Sequence, residues 1–121
     1  MAEPDWESLV FDHPDLEASR AYTRHLVDRI VRNALMGRQL ARRAEQAGLQ
    51  VRDVVAVTSV LRDAREADRV LGLQRNAQRA VDAGYLTATV AQRWLDGLTR
   101  EPFLAAVTVY IVAADRAAGA A

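Results

Sequence analysis

Apolar and polar positions along the chain change their period several times, and each change marks a predicted element. Two runs are strand-like, Val51 to Leu61 and Phe103 to Ala114. In the second, Phe103, Ala105, Val107, Val109 and Ile111 fall on one alternating side, and Leu104, Ala106, Tyr110 and Val112 on the other. A strand apolar on both sides belongs inside a sheet covered by helices above and below. Two strands alone are marginal in water. The pattern therefore predicts α/β architecture, with sheet neighbours beyond the two runs themselves.

Outside the runs the period becomes helical. Tyr22, Leu26, Ile30 and Ala34 recur every fourth residue, opposite Arg20, Arg24, Asp28 and Arg32, so residues 15–47 read as amphipathic helix divided near Gly37. Asp15 or Asp12 is positioned to cap it, and Gly48 to stop it. Asp63 opens a second helical region over 64–100, with Ala67, Val70, Leu73, Ala77 and Ala80 inward, Gly84 closing that helix and Thr87 capping the next. Glu101-Pro102 ends the last helix before an Ala/Gly tail. Residues 1–14, with two prolines and several acids, read as loop with the stub of a strand at its start.

Charge narrows the function classes. The 121 residues carry 16 basic and 16 acidic side chains, which gives no electrostatic footprint for nucleic acid or an anionic membrane. All the basic residues are Arg, as expected from codon bias in a GC-rich genome. The absence of Cys removes disulfides, thiolate metal sites and a cysteine nucleophile. His13 and His25 lack zinc-motif spacing, so no metal is expected. No apolar run approaches the roughly 20 residues of a membrane span, and the acidic start is unlike a secretory signal, which predicts a cytoplasmic protein. The six glycines never cluster into a phosphate-binding loop, no nucleophile elbow occurs, and no catalytic residue is nominated.

Three stretches carry a resemblance. They are Ala2-Glu3-Pro4-Asp5-Trp6 followed by Asp12-His13-Pro14-Asp15; Arg32-Asn33-Ala34-Leu35-Met36-Gly37-Arg38-Gln39-Leu40 followed by Ala47-Gly48-Leu49; and Ala105-Ala106-Val107-Thr108. In order and spacing, over residues 2 to 116, the chain resembles the C-terminal half of a class I S-adenosylmethionine-dependent methyltransferase of the small-molecule type common in actinobacteria. That resemblance implies the C-terminal part of a Rossmann-like sheet in a single partial domain. It would comprise a strand-five stub and loop at 1–14, helices at 15–47, strand six at 51–61, a helical insertion at 64–100 and strand seven at 103–114. Strands one to four, with the cofactor-binding motif, would be absent. S-adenosylmethionine would then serve the complete fold and not bind this chain alone.

The resemblance also implies a substrate side. Glu3, Asp5 and Trp6 match a loop bordering the family's small-molecule substrate cavity, and Arg32, Asn33 and Arg38 match a helix break facing it. Arg38 would pair with a substrate carboxylate, and Trp6 would supply a flat wall. The plainer alternatives are an aromatic packed on the helix below and an Arg at a helix end. Tyr22, Met36, Tyr85 and Trp94 are assigned to packing. Two functions are therefore expected in competition. One is a truncated or split methyltransferase partnered by a missing N-terminal half. The other is a non-catalytic helical interaction or dimerisation module that pairs as a homodimer through a strand edge.

Overall fold

A computed structural model describes residues 1–100 and 102–116. Glu101 of the expected helix stop and the Ala/Gly tail lie outside them. Three strands, β1 (Ala2–Phe11), β2 (Leu49–Leu61) and β3 (Ala105–Arg116), form a sheet of order β1-β3-β2. Both ladders are antiparallel. Helices α1 (Leu16–His25) and α2 (Met36–Gln46) connect β1 to β2; α3 (Ala64–Leu71), α4 (Leu73–Asp82) and α5 (Ala88–Leu98) connect β2 to β3.

This overturns the fold expectation. A Rossmann-like methyltransferase half would have a parallel sheet, whereas no hydrogen-bonded strand pair among the described residues is parallel. The physical reason for β3's two apolar sides is different. Paired residues share a face, so Phe11, Ala105 and Leu61 lie together on one side, and Val112 lies with Val54 on the other. Ala105 is packed into a core with Phe11, Tyr22, Leu71, Trp94 and Leu98, from β1, α1, α3 and α5. Val112, only 2% exposed, lies on the opposite face, which α2 covers as it packs across all three strands. Each face is thus covered at one end and open at the other. Double-sided apolarity here marks a central strand with staggered cover, not a parallel sheet.

Residues 1–14 also depart from the expected loop and strand stub. β1 tolerates Pro4, opposite Val109, because it is an edge strand where a missing N–H is affordable. Its register with β3 slips between Asp5 and Val10. Ser8 bridges the gap: its hydroxyl accepts from the Thr108 amide at 2.8 Å and donates to the Asp5 carbonyl at 2.6 Å.

Asp15 caps α1 by accepting from the Ala18 amide at 3.0 Å. The helix then loosens into a π-helical turn over Leu26–Ile30, and Val31 becomes extended. The four-residue stripe accordingly ends at Leu26 as a buried row, with Ile30 only half-buried. Asp63 caps α3 by accepting from the Arg65 and Glu66 amides at 2.9 and 3.0 Å. The single helix expected up to Gly84 is two, because Gly72 takes a left-handed conformation (φ +64°) between α3 and α4. The Asn76 amide nitrogen donates to the freed Leu71 carbonyl at 2.9 Å.

The core is closed by three aromatics. Tyr22 stacks on Trp94 with centroids 4.8 Å apart, and Phe11 meets Trp94 edge-on at 5.1 Å. The Trp94 indole N–H donates to the Ser19 hydroxyl at 2.9 Å, so the buried polar atom is satisfied.

Candidate functional site

The six nominated residues come from β1, the loop after the π-helical turn, and the first turn of α2. What brings them together is Gly37. A β-carbon there would sit 2.7 Å from the Glu3 carbonyl oxygen and 2.8 Å from both the Asp5 nitrogen and the Pro4 carbonyl carbon, so only glycine lets α2 lie this close on β1. The Trp6 amide donates to the Ala34 carbonyl at 2.9 Å and pins the loop to the same strand.

Arg38 and Asp5 then meet directly. Arg38 Nε lies 2.5 Å from Asp5 Oδ2 and Nη2 lies 3.0 Å from Oδ1, a bidentate fork on a carboxylate that is 3% exposed. Nη2 also donates to Glu7 Oε1 at 3.0 Å, and Asp5 Oδ1 accepts from the Glu7 amide at 3.1 Å. The hydrogen bond to Asp5 raises the Arg38 pKa above its ordinary value; burial opposes this and Glu7 adds to it. A guanidinium engaged by two carboxylates is a clamp between α2 and β1. It has little capacity left for the substrate carboxylate that the resemblance implies.

Glu3, Trp6, Arg32 and Asn33 do converge. With Pro4, Val31 and Met36 they line an open cleft of about 230 Å³. Arg32 pairs with no carboxylate among the described residues. The cleft thus offers one free cation, an amide, a carboxylate and an indole. That set can hold a small planar molecule by one polar edge. Asp5 and Arg38 are not among its lining residues.

The histidines serve the fold. His13 Nδ1 accepts from the Asp15 amide at 2.9 Å, so Nε2 carries the proton and donates to the Trp94 carbonyl at 3.0 Å. His25 is 2% exposed and packs edge-on against Tyr85, with Nδ1 unpartnered. Burial, then Arg29 and Arg79, push its pKa below the ordinary value against Asp28, which keeps it neutral. Burial likewise holds the Tyr22 hydroxyl protonated. Among the described residues no metal-binding cluster of His, Asp or Glu occurs, and no helix is long and apolar enough to cross a membrane.

A second feature escaped the sequence reading of individual site residues. β2 pairs only with β3, and its outer edge has no neighbour among the described residues. Val54, Val55, Val57 and Val60 are each 46–50% exposed along it. On one face Val55 continues the row Ala2–Ile111–Val55, and Val57 the row Pro4–Val109–Val57. On the other face, Val60 ends the row Val10–Ala106–Val60. The signal was in the sequence: Val54 to Leu61 contains no charge, Pro or Gly.

No protein-family model matches the chain. It is 65% identical over 115 residues to an uncharacterized 37.1 kDa protein in transposon TN4556 of Streptomyces fradiae, an alignment covering 95% of this chain and 33% of that protein. The chain thus spans about a third of the length of the curated relative it matches.

Proposed function

We propose that this chain is a non-catalytic interaction module whose contact element is the outer edge of β2. The observation that carries this reading is the uncharged run Val54–Leu61 on a strand with one neighbour among the described residues. Edge strands ordinarily carry a charge, a proline or a bulge in mid-strand that blocks further pairing. The irregularity in β2 lies near its start, between Val51 and Asp53, and leaves the middle regular. Each cross-strand apolar pair gained by docking contributes about 0.2–1 kcal/mol beyond the backbone hydrogen bonds.

The test is sedimentation velocity over a concentration series. The native chain should associate, Val57→Lys should abolish association, and Val70→Lys, at an exposed position on α3, should leave it intact. Identical sedimentation of the native and Val57→Lys chains would refute the reading.

A second reading has its own support, the convergence of Glu3, Trp6, Arg32 and Asn33 on one cleft. It takes the chain as the substrate side of a methyl-transfer enzyme completed by another polypeptide segment. Calorimetric titration with S-adenosylmethionine should then show no saturable heat for the chain alone. Saturable binding at micromolar ligand would contradict that division of labour.

A further inference from the structure

Resting on the interaction reading, we infer that the partner of β2 is a second copy of this chain, paired antiparallel about Val57 to give a six-stranded sheet with two-fold symmetry. The regular part of β2 runs from Asp53 to Leu61, where every residue pairs in sequence with β3 from Ala113 to Ala105. Its midpoint is Val57. A two-fold axis perpendicular to an antiparallel pair must pass through a residue facing its own copy, because side chains alternate between faces. Centring that axis on Val57 pairs all nine residues of the regular stretch. Moving it one residue either way leaves seven paired.

In this register the exposed valines find mates. Val54 faces Val60 of the second copy, and Val60 faces Val54 in return. Val57 faces itself, and Val55 faces Ser59 with Val57 of the second copy diagonally adjacent. Diagonal neighbours on one face are within reach of each other.

The flanking charges fit the same arrangement. The uncharged run is bounded by Arg52-Asp53 at one end and Arg62-Asp63 at the other. Antiparallel pairing brings the first couple of one copy to the second couple of the other. Asp53 then stands opposite Leu61, with Arg62 the next residue along on the other face, and each end of the joint holds two charges of each sign. Arg52 would stand opposite Arg62, but it sits at the register slip and is engaged by Asp115 at 2.6 Å. Centring on Thr58 instead would place Asp53 directly opposite Asp63, and like charges directly opposite destabilise a strand pair. Centring on Ala56 would set Arg52 against Val60. The Val57 and Thr58 registers join uncharged overlaps of equal length, longer than that about Ala56, and of those two only the Val57 register avoids an unscreened like-charge pair.

Because the chain has no Cys, the register can be read by disulfide trapping. Single variants Ala56→Cys, Val57→Cys and Thr58→Cys are oxidised by dissolved oxygen at a concentration where the native chain associates. Directly opposed residues lie about 4.5–5.5 Å apart between Cα atoms, within disulfide range. In the proposed register the other two positions are each offset from their own copies by two residues, which puts them roughly 8 Å apart and out of range. Covalent dimer should therefore form at least tenfold faster for Val57→Cys than for either neighbour. Fastest trapping at 56 or 58 would overturn the register. Trapping at none of the three, while Val57→Lys still abolishes association, would overturn the antiparallel two-fold pairing and leave the edge as the contact element. Association that Val57→Lys does not alter would remove both.

Discussion

Gly37→Ala is a small change with a large expected effect, because the added methyl group meets backbone on three sides. Its contacts with the Glu3 oxygen, the Asp5 nitrogen and the Pro4 carbonyl carbon would be 2.7–2.8 Å, none of them a movable side-chain end. Ordinary contact needs about 3.5 Å or more between such atoms. Helix α2 must therefore retreat from β1 by several tenths of an ångström. Overpacking of this kind costs roughly 1–3 kcal/mol, and the retreat also lengthens the Arg38–Asp5 fork. Alanine's helix propensity returns at most about 1 kcal/mol, and less in a first turn. With the weakened Arg38–Asp5 fork added to the overpacking, the balance is a loss of about 1–3 kcal/mol, read as a lower urea midpoint at unchanged slope.

A double-mutant cycle identifies the cause. Arg38→Met leaves the buried Asp5 carboxylate without its cation. With Arg38 itself 43% exposed, and water able to replace part of it, the cost should be about 1–3 kcal/mol. In the Gly37→Ala background that cost should shrink, because the fork is already loosened. A Gly37→Ala chain as stable as the native one, or additivity in the cycle, would refute the close approach of α2 to β1.

Two further outcomes follow from particular residues. His25 is buried neutral, with a folded-state pKa below the 6.5 of the unfolded chain, so the unfolded state takes up the proton first. Stability is then full above about pH 6.5 and falls as the pH drops below it; His25→Phe should flatten that limb in urea titrations at pH 7 and 5, and an unchanged slope would count against the assignment. Gly72→Ala places a side chain at φ +64°, where the nearest groups are the movable Arg75 guanidinium and the buried Asn76 amide that donates to Leu71. The cost should be at least the backbone penalty of about 1–2 kcal/mol, and a thermal midpoint equal to the native one would contradict the left-handed break between α3 and α4.

The parts of the fold legible in the sequence are those governed by local chemistry. The Asp63 and Thr87 caps, the stops at Gly48 and Gly84 and the alternating runs of β2 and β3 each follow from a residue and its near neighbours. β1 was hidden because Pro4 and its acids signal a loop, and only its edge position and the Ser8 bridge make a strand possible. The π-helical turn at Leu26–Ile30 and the break at Gly72 were hidden because the apolar period continues across both. The fold class was misjudged because two apolar sides on β3 were read as full cover, while staggered helices produce the same pattern. Among the nominated site residues, Glu3, Trp6, Arg32 and Asn33 share a cleft. Arg38 is held by Asp5 and Glu7, a pairing that spacing along the chain does not reveal.

Amide hydrogen exchange across β2, followed at low and high protein concentration, reports most directly on whether the open edge is the contact element. Between Asp53 and Leu61, alternate amides face β3 and should be protected at any concentration. The amides pointing outward should exchange freely in dilute protein and become protected as concentration rises. Free exchange of the outward amides at every concentration, with association still present, would contradict the account.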